Sequence, residues 1–218
     1  MKYLQRSFFT FCCAIALVVA GCAAPTSSGI TVGGGSNEGN TASTEGHSEK
    51  WKKVTGATSG ISLEVPENWY PIGQEVDDTT ARSNIEKVTK GDSDFKEIAE
   101  NQREANDIAY IYPNPGGGAP EAVLLGRQKI PVATLSSTTV LRRELEANPE
   151  FTVHHVEEIQ SPLGQGYMAD IELTGDVKGK DIYVPNGKGF YFEVALLSQD
   201  ESALKQRYEK VLQSLSLD

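Results

Sequence analysis

Residues 182–196 have the sequence Ile-Tyr-Val-Pro-Asn-Gly-Lys-Gly-Phe-Tyr-Phe-Glu-Val-Ala-Leu and predict an antiparallel hairpin. Two apolar runs, Ile182–Val184 and Phe190–Leu196, flank the dipeptide Asn186-Gly187. Asn-Gly is typical of a two-residue hairpin turn, because both central positions of such a turn take positive φ. We therefore expect an antiparallel sheet around this pair of strands.

The segments on either side of the hairpin continue the sheet and then close the domain with a helix. Tyr167–Thr174 alternates apolar and polar side chains, as a half-buried strand does, and Phe151–Ile159 is also predicted to be extended. On the C-terminal side, Asp200 is placed to cap a helix. The apolar residues of that helix form one stripe: Leu204, Tyr208, Val211, Leu212 and Leu215.

The first part of the folded chain adds further strands and three helices. Strands are predicted at residues 61–65, 108–112 and 122–125. Helices are predicted with Thr79-Thr80 as the N-cap, with Asp92–Asp94 as the N-cap, and over residues 136–148. The resulting order is β-β-α-α-β-β-α-β-β-β-β-α. Consecutive strands with short links favour an antiparallel sheet, and the helices must bury their stripes on its faces. The fold class predicted is α+β, with an antiparallel sheet covered by helices.

Residues 1–21 are predicted to be a lipoprotein signal peptide. Lys2 and Arg6 precede an almost wholly apolar run, Phe8–Ala20, which is the layout of a secretory signal and is too short to span a bilayer comfortably. The run ends in Val-Ala-Gly-Cys at residues 19–22, which resembles the bacterial lipobox. We therefore expect a lipid anchor on the Cys22 thiol. The expected location is the extracytoplasmic side of the cell membrane, or the outer membrane if the source is diderm.

Residues 22–50 are predicted to be the lipidated cysteine followed by a flexible tether, and residues 51–218 a single domain. The tether is rich in Gly, Ser, Thr and Asn, and its reach is roughly 30 Å. Its Gly33–Gly35 run lacks the preceding strand and following helix of a phosphate-binding loop. The predicted domain holds no cysteine, which excludes disulfides and thiolate zinc sites there.

The net charge of the chain limits the classes of partner that it is expected to bind. The formal net charge is −10, and removal of residues 1–21 would make the chain two charges more negative. Such a surface repels nucleic acids and anionic lipid headgroups, so we expect no nucleic-acid partner and a membrane contact made by the lipid anchor.

Two motifs support a family resemblance. Leu63-Glu64-Val65-Pro66-Glu67-Asn68-Trp69 and Val211-Leu212-Gln213-Ser214-Leu215 resemble the opening strand and the closing helix of the PsbP-like α/β/α sandwich. Together with the lipobox and tether, the chain looks most like the actinobacterial LpqN/LpqT-type lipoproteins. The resemblance implies a non-enzymatic module that binds or scaffolds a partner protein or a lipid-like ligand. The resemblance implies no catalytic residue in this sequence.

Carboxylates and histidines give the sequence its only candidates for chemistry. Asp170, Glu172 and Glu193 lie at outward positions of two predicted strands and could be the catalytic carboxylates of an envelope hydrolase. The alternative is that they are ordinary polar side chains on a solvent-exposed face of the sheet. His154 and His155 are adjacent, so a regular strand would point them to opposite faces, with His155 partly buried beside Val153. His47 falls in the tether. No catalytic residue, cofactor or metal site is predicted.

Tyrosines are the remaining candidates for ligand binding. Tyr110 and Tyr112 share one face of a predicted strand, and Tyr183 and Tyr191 lie on the two strands of the hairpin. Beside the Gly116–Gly118 loop they could line a groove for an acyl chain or a sugar, or they could be ordinary core and surface residues. The leading hypothesis is a non-catalytic binding lipoprotein. The alternatives are the hydrolase and a purely structural lipoprotein.

Overall fold

A computed structural model describes residues 49–114, 119–149, 151–173 and 176–218, with the backbone alone for Phe151. The predicted signal peptide, Cys22, His47 and Gly116–Gly118 lie outside these residues. In the described part the helices are α1 Asp78–Thr89, α2 Ser93–Ala105, α3 Thr138–Glu146 and α4 Glu201–Ser214. The strands are β1 Trp51–Thr55, β2 Ile61–Pro66, β3 Tyr70–Pro71, β4 Asn106–Tyr112, β5 Glu121–Gly126, β6 Ile130–Pro131, β7 Phe151–Ser161, β8 Gly164–Leu173, β9 Val177–Pro185, β10 Phe190–Ser198 and β11 Ser216–Leu217.

The strands form two antiparallel sheets. The large sheet has the order β3-β4-β5-β10-β9-β8-β7, and β6 pairs with β10 beside β5. The small sheet has the order β1-β2-β11. The predicted element order is confirmed, apart from the short strands β3, β6 and β11, whose two residues are too few to leave a periodic signal.

Both faces of the large sheet are buried. On one face the core is formed with α1, α2 and α3, to which Ile85, Ala99 and Leu141 contribute. On the other face the core is formed with α4 and β2, to which Leu212 and Leu63 contribute. We call these the three-helix side and the α4 side. The predicted α+β class and the layering of helices on an antiparallel sheet are confirmed, with the small sheet sharing one outer layer with α4.

Aspartates start three of the four helices. Asp77 accepts hydrogen bonds from the backbone N–H groups of Thr79 and Thr80, each at 3.0 Å, so the prediction that these threonines cap α1 is wrong. The carboxylate of an N-cap aspartate satisfies N–H groups that the first turn leaves unpaired. Asp92 and Asp200 cap α2 and α4 as predicted.

The β9–β10 hairpin is confirmed, but its predicted turn is wrong. Strand β9 ends at Pro185 and β10 begins at Phe190, and the Asn186 N–H donates to the Phe190 carbonyl at 3.0 Å across the turn. The connection is therefore the four residues 186–189, and positive φ occurs at Gly187 (70°) and Gly189 (83°). The second glycine gives the chain another position for positive φ, which a longer turn uses and a two-residue turn does not.

Candidate functional site

A groove of about 590 Å³ lies between α4 and the strands β7, β8 and β9. Its volume falls within the range of about 300–1,000 Å³ that is usual for ligand sites. The buried side chains of Met168, Leu204 and Tyr208 form its floor, and charged side chains from all four elements line it. A cavity lined mostly by apolar side chains, between α2 and the sheet, measures only about 40 Å³. The groove is therefore the stronger candidate of the two.

Strand alternation and register bring the groove's charges together. Alternate residues of β8 point into the core on the three-helix side, so Asp170 and Glu172 point to the α4 side. On β9 the register places Lys180 opposite Asp170 and Lys178 opposite Glu172. Opposite charges thus face each other across two neighbouring strands, an arrangement that stabilises the pair of strands.

Ion pairs tie these lysines to their surroundings. Lys180 Nζ donates to Asp170 Oδ1 across the strands, and Lys178 Nζ donates to Glu201 Oε2 of α4 at 2.5 Å. The contact with Glu201 raises the pKa of Lys178, and the contact with Lys178 lowers the pKa of Glu201. Both groups are therefore charged at neutral pH.

Tyr208 forms one end of the groove floor. Its side chain is 8% exposed, and Lys180 Nζ lies 4.9 Å from the centre of its ring, within cation–π range. Burial raises the pKa of the hydroxyl to about 12, and the negative charges of Glu157, Glu209 and Asp170 act in the same direction. The hydroxyl is therefore protonated at neutral pH and is surrounded by carboxylates from three elements.

A β-bulge in β7 overturns the predicted placement of the histidines. The register with β8 shifts between Val153 and His155, so Val153 and Val156 both pack on the three-helix side although they are three residues apart. His154 Nε2 lies 2.9 Å from Glu172 Oε2, and His155 is aligned with a residue that faces the same α4 side. Both histidine side chains are more than half exposed. The predictions of opposite faces and of a partly buried His155 are wrong, because the extra residue of a bulge interrupts the alternation.

The three carboxylates considered for hydrolysis are not brought together. Asp170 and Glu172 lie in the groove. Glu193 lies between Phe192 and Val194, whose side chains belong to the α4-side core, so it points to the three-helix side. The sheet itself separates Glu193 from the other two, and the arrangement that paired-carboxylate chemistry requires is not formed by these residues.

The four tyrosines considered for ligand binding lie on opposite faces of the sheet, Tyr110 and Tyr112 on the α4 side and Tyr183 and Tyr191 on the three-helix side. Tyr112 stacks on Trp69, with 6.0 Å between ring centres. Tyr191 contacts Tyr167 edge to face, with 5.8 Å between ring centres. The four therefore line no common groove, and residues 116–118, where that groove was expected, lie outside the described part of the chain.

Tyr208 belongs to the apolar stripe predicted for α4, and that pattern does not account for its hydroxyl. A signal was present, because Glu201, Lys205 and Glu209 recur at intervals of four and so share one face of the helix beside Tyr208. What that face meets depends on the fold, since the charges of β8 and β9 are distant in sequence.

Among the described residues, no three or more His, Cys, Asp or Glu side chains are arranged so that they could hold a metal ion. None of the helices that these residues form combines the length and the apolar character needed to cross a bilayer.

Comparisons with known proteins give matches among solved structures. No family model matches the chain, and no curated protein matches it. It is similar to cyanobacterial PsbP (CyanoP) from Synechocystis, with 12% identity over 82% of this chain and 98% of that chain and a TM-score of 0.48. A protein of unknown function from Pseudomonas aeruginosa matches with 12% identity, coverage of 78% and 97%, and a TM-score of 0.42. The Ran-binding protein Mog1p of Saccharomyces cerevisiae matches with 10% identity, coverage of 78% and 96%, and a TM-score of 0.43. The solved structures similar to this chain thus include a PsbP protein.

Proposed function

We propose that the chain is a membrane-anchored lipoprotein of the bacterial envelope whose domain binds a partner protein or a lipid-like ligand without catalysing a reaction. The signal-like residues 1–21 and Cys22 support the anchor. The likeness to the actinobacterial LpqN/LpqT-type lipoproteins belongs to this proposal and rests on the sequence motifs alone.

The groove beside α4 is the observation that carries the binding role. Its volume suits a ligand, and secondary structure on all sides holds its charged side chains in place. Of the two occupants, a partner protein is favoured, because the groove is charged and the cavity beside α2, at about 40 Å³, is too small for an acyl chain. The separation of Glu193 from Asp170 and Glu172 disfavours the hydrolase.

The anchor is tested by replacing Cys22. We expect the wild-type chain to incorporate labelled fatty acid and to fractionate with membranes, and Cys22→Ser to lose both properties. Cys12→Ser, in the part that is cleaved, is the matched control and should behave as wild type. Labelling and membrane retention of Cys22→Ser at the wild-type level would refute the anchor.

A further inference from the structure

The Tyr208 hydroxyl is a polar group for which the described residues provide no hydrogen-bond partner. The side chain is more than nine-tenths buried and lines the groove. The hydroxyl is not one of the described polar atoms sealed from solvent, so it opens into the groove, where it can accept as well as donate a hydrogen bond. A ligand in the groove would take the place of solvent as the hydrogen-bond partner of this hydroxyl.

The charges around this hydroxyl favour a cation. Glu157, Glu209 and Asp170 act on Tyr208 electrostatically, and Asp170 is paired with Lys180. Glu209 forms no ion pair with any described residue, and Glu157 is paired only with the exposed His155, at 3.5 Å. Five carboxylates and three lysines, Lys205 among them, line the groove, so negative charge is in excess there. An ammonium or guanidinium group would donate to the hydroxyl oxygen and offset the carboxylates at the same time.

The shape of the groove favours a segment of protein over a small amine. The groove follows α4 from Glu201 to Glu209, a distance of about 12 Å at the helical rise. That length accommodates about four residues of extended chain. A single ammonium group would occupy only the Tyr208 end.

The chain itself does not provide this segment. Residues 7–49 contain no lysine or arginine, and the one cation of the predicted tether, Lys50, adjoins β1, where its carbonyl accepts a hydrogen bond from the Glu67 N–H at 2.8 Å. A second copy carries the same net charge of −10, which opposes self-association at a negative site.

We infer that the groove beside α4 binds a basic segment of another protein, with a lysine or arginine side chain placed against the Tyr208 hydroxyl between Glu157 and Glu209. This inference rests on the proposed function, and it adds the chemistry of the partner and the residues that recognise it.

The test measures binding of two labelled peptides, Ala-Lys-Ala-Lys-Ala-Lys-Ala and its glutamine counterpart, to the full chain in detergent by fluorescence anisotropy. We expect the lysine peptide to bind at least tenfold more tightly than the glutamine peptide. Tyr208→Phe removes only the hydroxyl and should weaken binding of the lysine peptide roughly tenfold, as for a hydrogen bond to a charged group. Glu209→Gln should weaken it by roughly two- to fivefold. Glu104→Gln, an exposed change of the same charge on α2, is the matched control and should have no effect.

Three results would overturn the inference: equal binding of the two peptides, wild-type binding by Tyr208→Phe, or an equal loss with Glu104→Gln. Displacement of the peptide by n-butylamine at the peptide's own concentration would identify a small amine instead of a protein segment, which also refutes the inference. The lipid anchor is tested separately, since fatty-acid labelling at Cys22 does not depend on the groove. If the peptide does not bind but Cys22 is labelled at the wild-type level, the inference about the groove is refuted and the lipoprotein proposal still holds.

Discussion

Asp181 is a charged residue in an environment that opposes its ionised form. Its side chain is completely buried on β9, and neither carboxylate oxygen accepts a hydrogen bond from the described residues. Burial raises the pKa of Asp181, and the neighbouring charge of Glu193 raises it further. The folded chain therefore keeps a proton on Asp181 at pH values where the unfolded chain has released it.

This difference predicts a pH dependence of stability that Asp181→Asn reduces. The stabilisation is complete below the unfolded pKa of about 3.9 and is lost as the pH rises towards the folded pKa. We expect the free energy of unfolding to fall less steeply above about pH 4 in Asp181→Asn than in wild type, measured by urea unfolding. Glu75→Gln is the comparison, because burial raises the pKa of Glu75 to about 7 and its contribution ends near that pH. An unchanged slope in Asp181→Asn would show that the buried carboxyl is not protonated.

Helix α4 is the element on which the groove depends, and Leu212 fixes it to the sheet. Leu212 is 6% exposed and belongs to the α4-side core. Leu212→Ala should lower the free energy of unfolding by about 2–5 kcal/mol, because it removes buried contacts and leaves a cavity. Gln213→Ala, at an exposed position of the same helix, should change it by less than about 0.5 kcal/mol. Equal melting temperatures for the two variants would mean that α4 does not pack as described.

Substitutions of Gly187, in the turn between β9 and β10, distinguish backbone strain from steric conflict. Gly187 has φ of 70°, and a Cβ added there would meet no atom within 4 Å. Gly187→Val should therefore destabilise the chain by about 1–2 kcal/mol through backbone strain alone. Gly187→Asn, a residue that tolerates this conformation, should cost less in the same thermal melt. An equal cost for the two variants would place the origin of the effect elsewhere.

Elements were predictable from sequence to the extent that their signals are local. The helix caps at Asp92 and Asp200 and the alternation of β8 depend on neighbouring residues, and both were predicted. The bulge at His154 was not, because it is defined by the register with β8, which no local pattern records. The length of the β9–β10 turn was also missed, since Asn186-Gly187 suits a short turn as well as the longer one.

At the scale of the molecule, the layers follow from the apolar stripes, whereas the groove does not. Burial on both faces of the large sheet requires two outer layers, and the predicted helices supply them. The groove needs Tyr208 of α4 to lie beside Asp170 and Lys180, which come from separate strands. Their proximity depends on strand order and register. For this reason the sequence-based candidates were the tyrosines and carboxylates visible within single strands.

The role proposed for the whole molecule is that of an anchored domain that binds a partner protein through the groove beside α4. Site-specific photo-cross-linking in intact membranes tests this role, with the cross-linking residue placed at Lys205 in the groove or at Glu104 on α2. We predict a discrete cross-linked protein from position 205, none from position 104, and a weaker product from position 205 when Tyr208→Phe is added. No product at position 205, or the same product at both positions, would contradict this role.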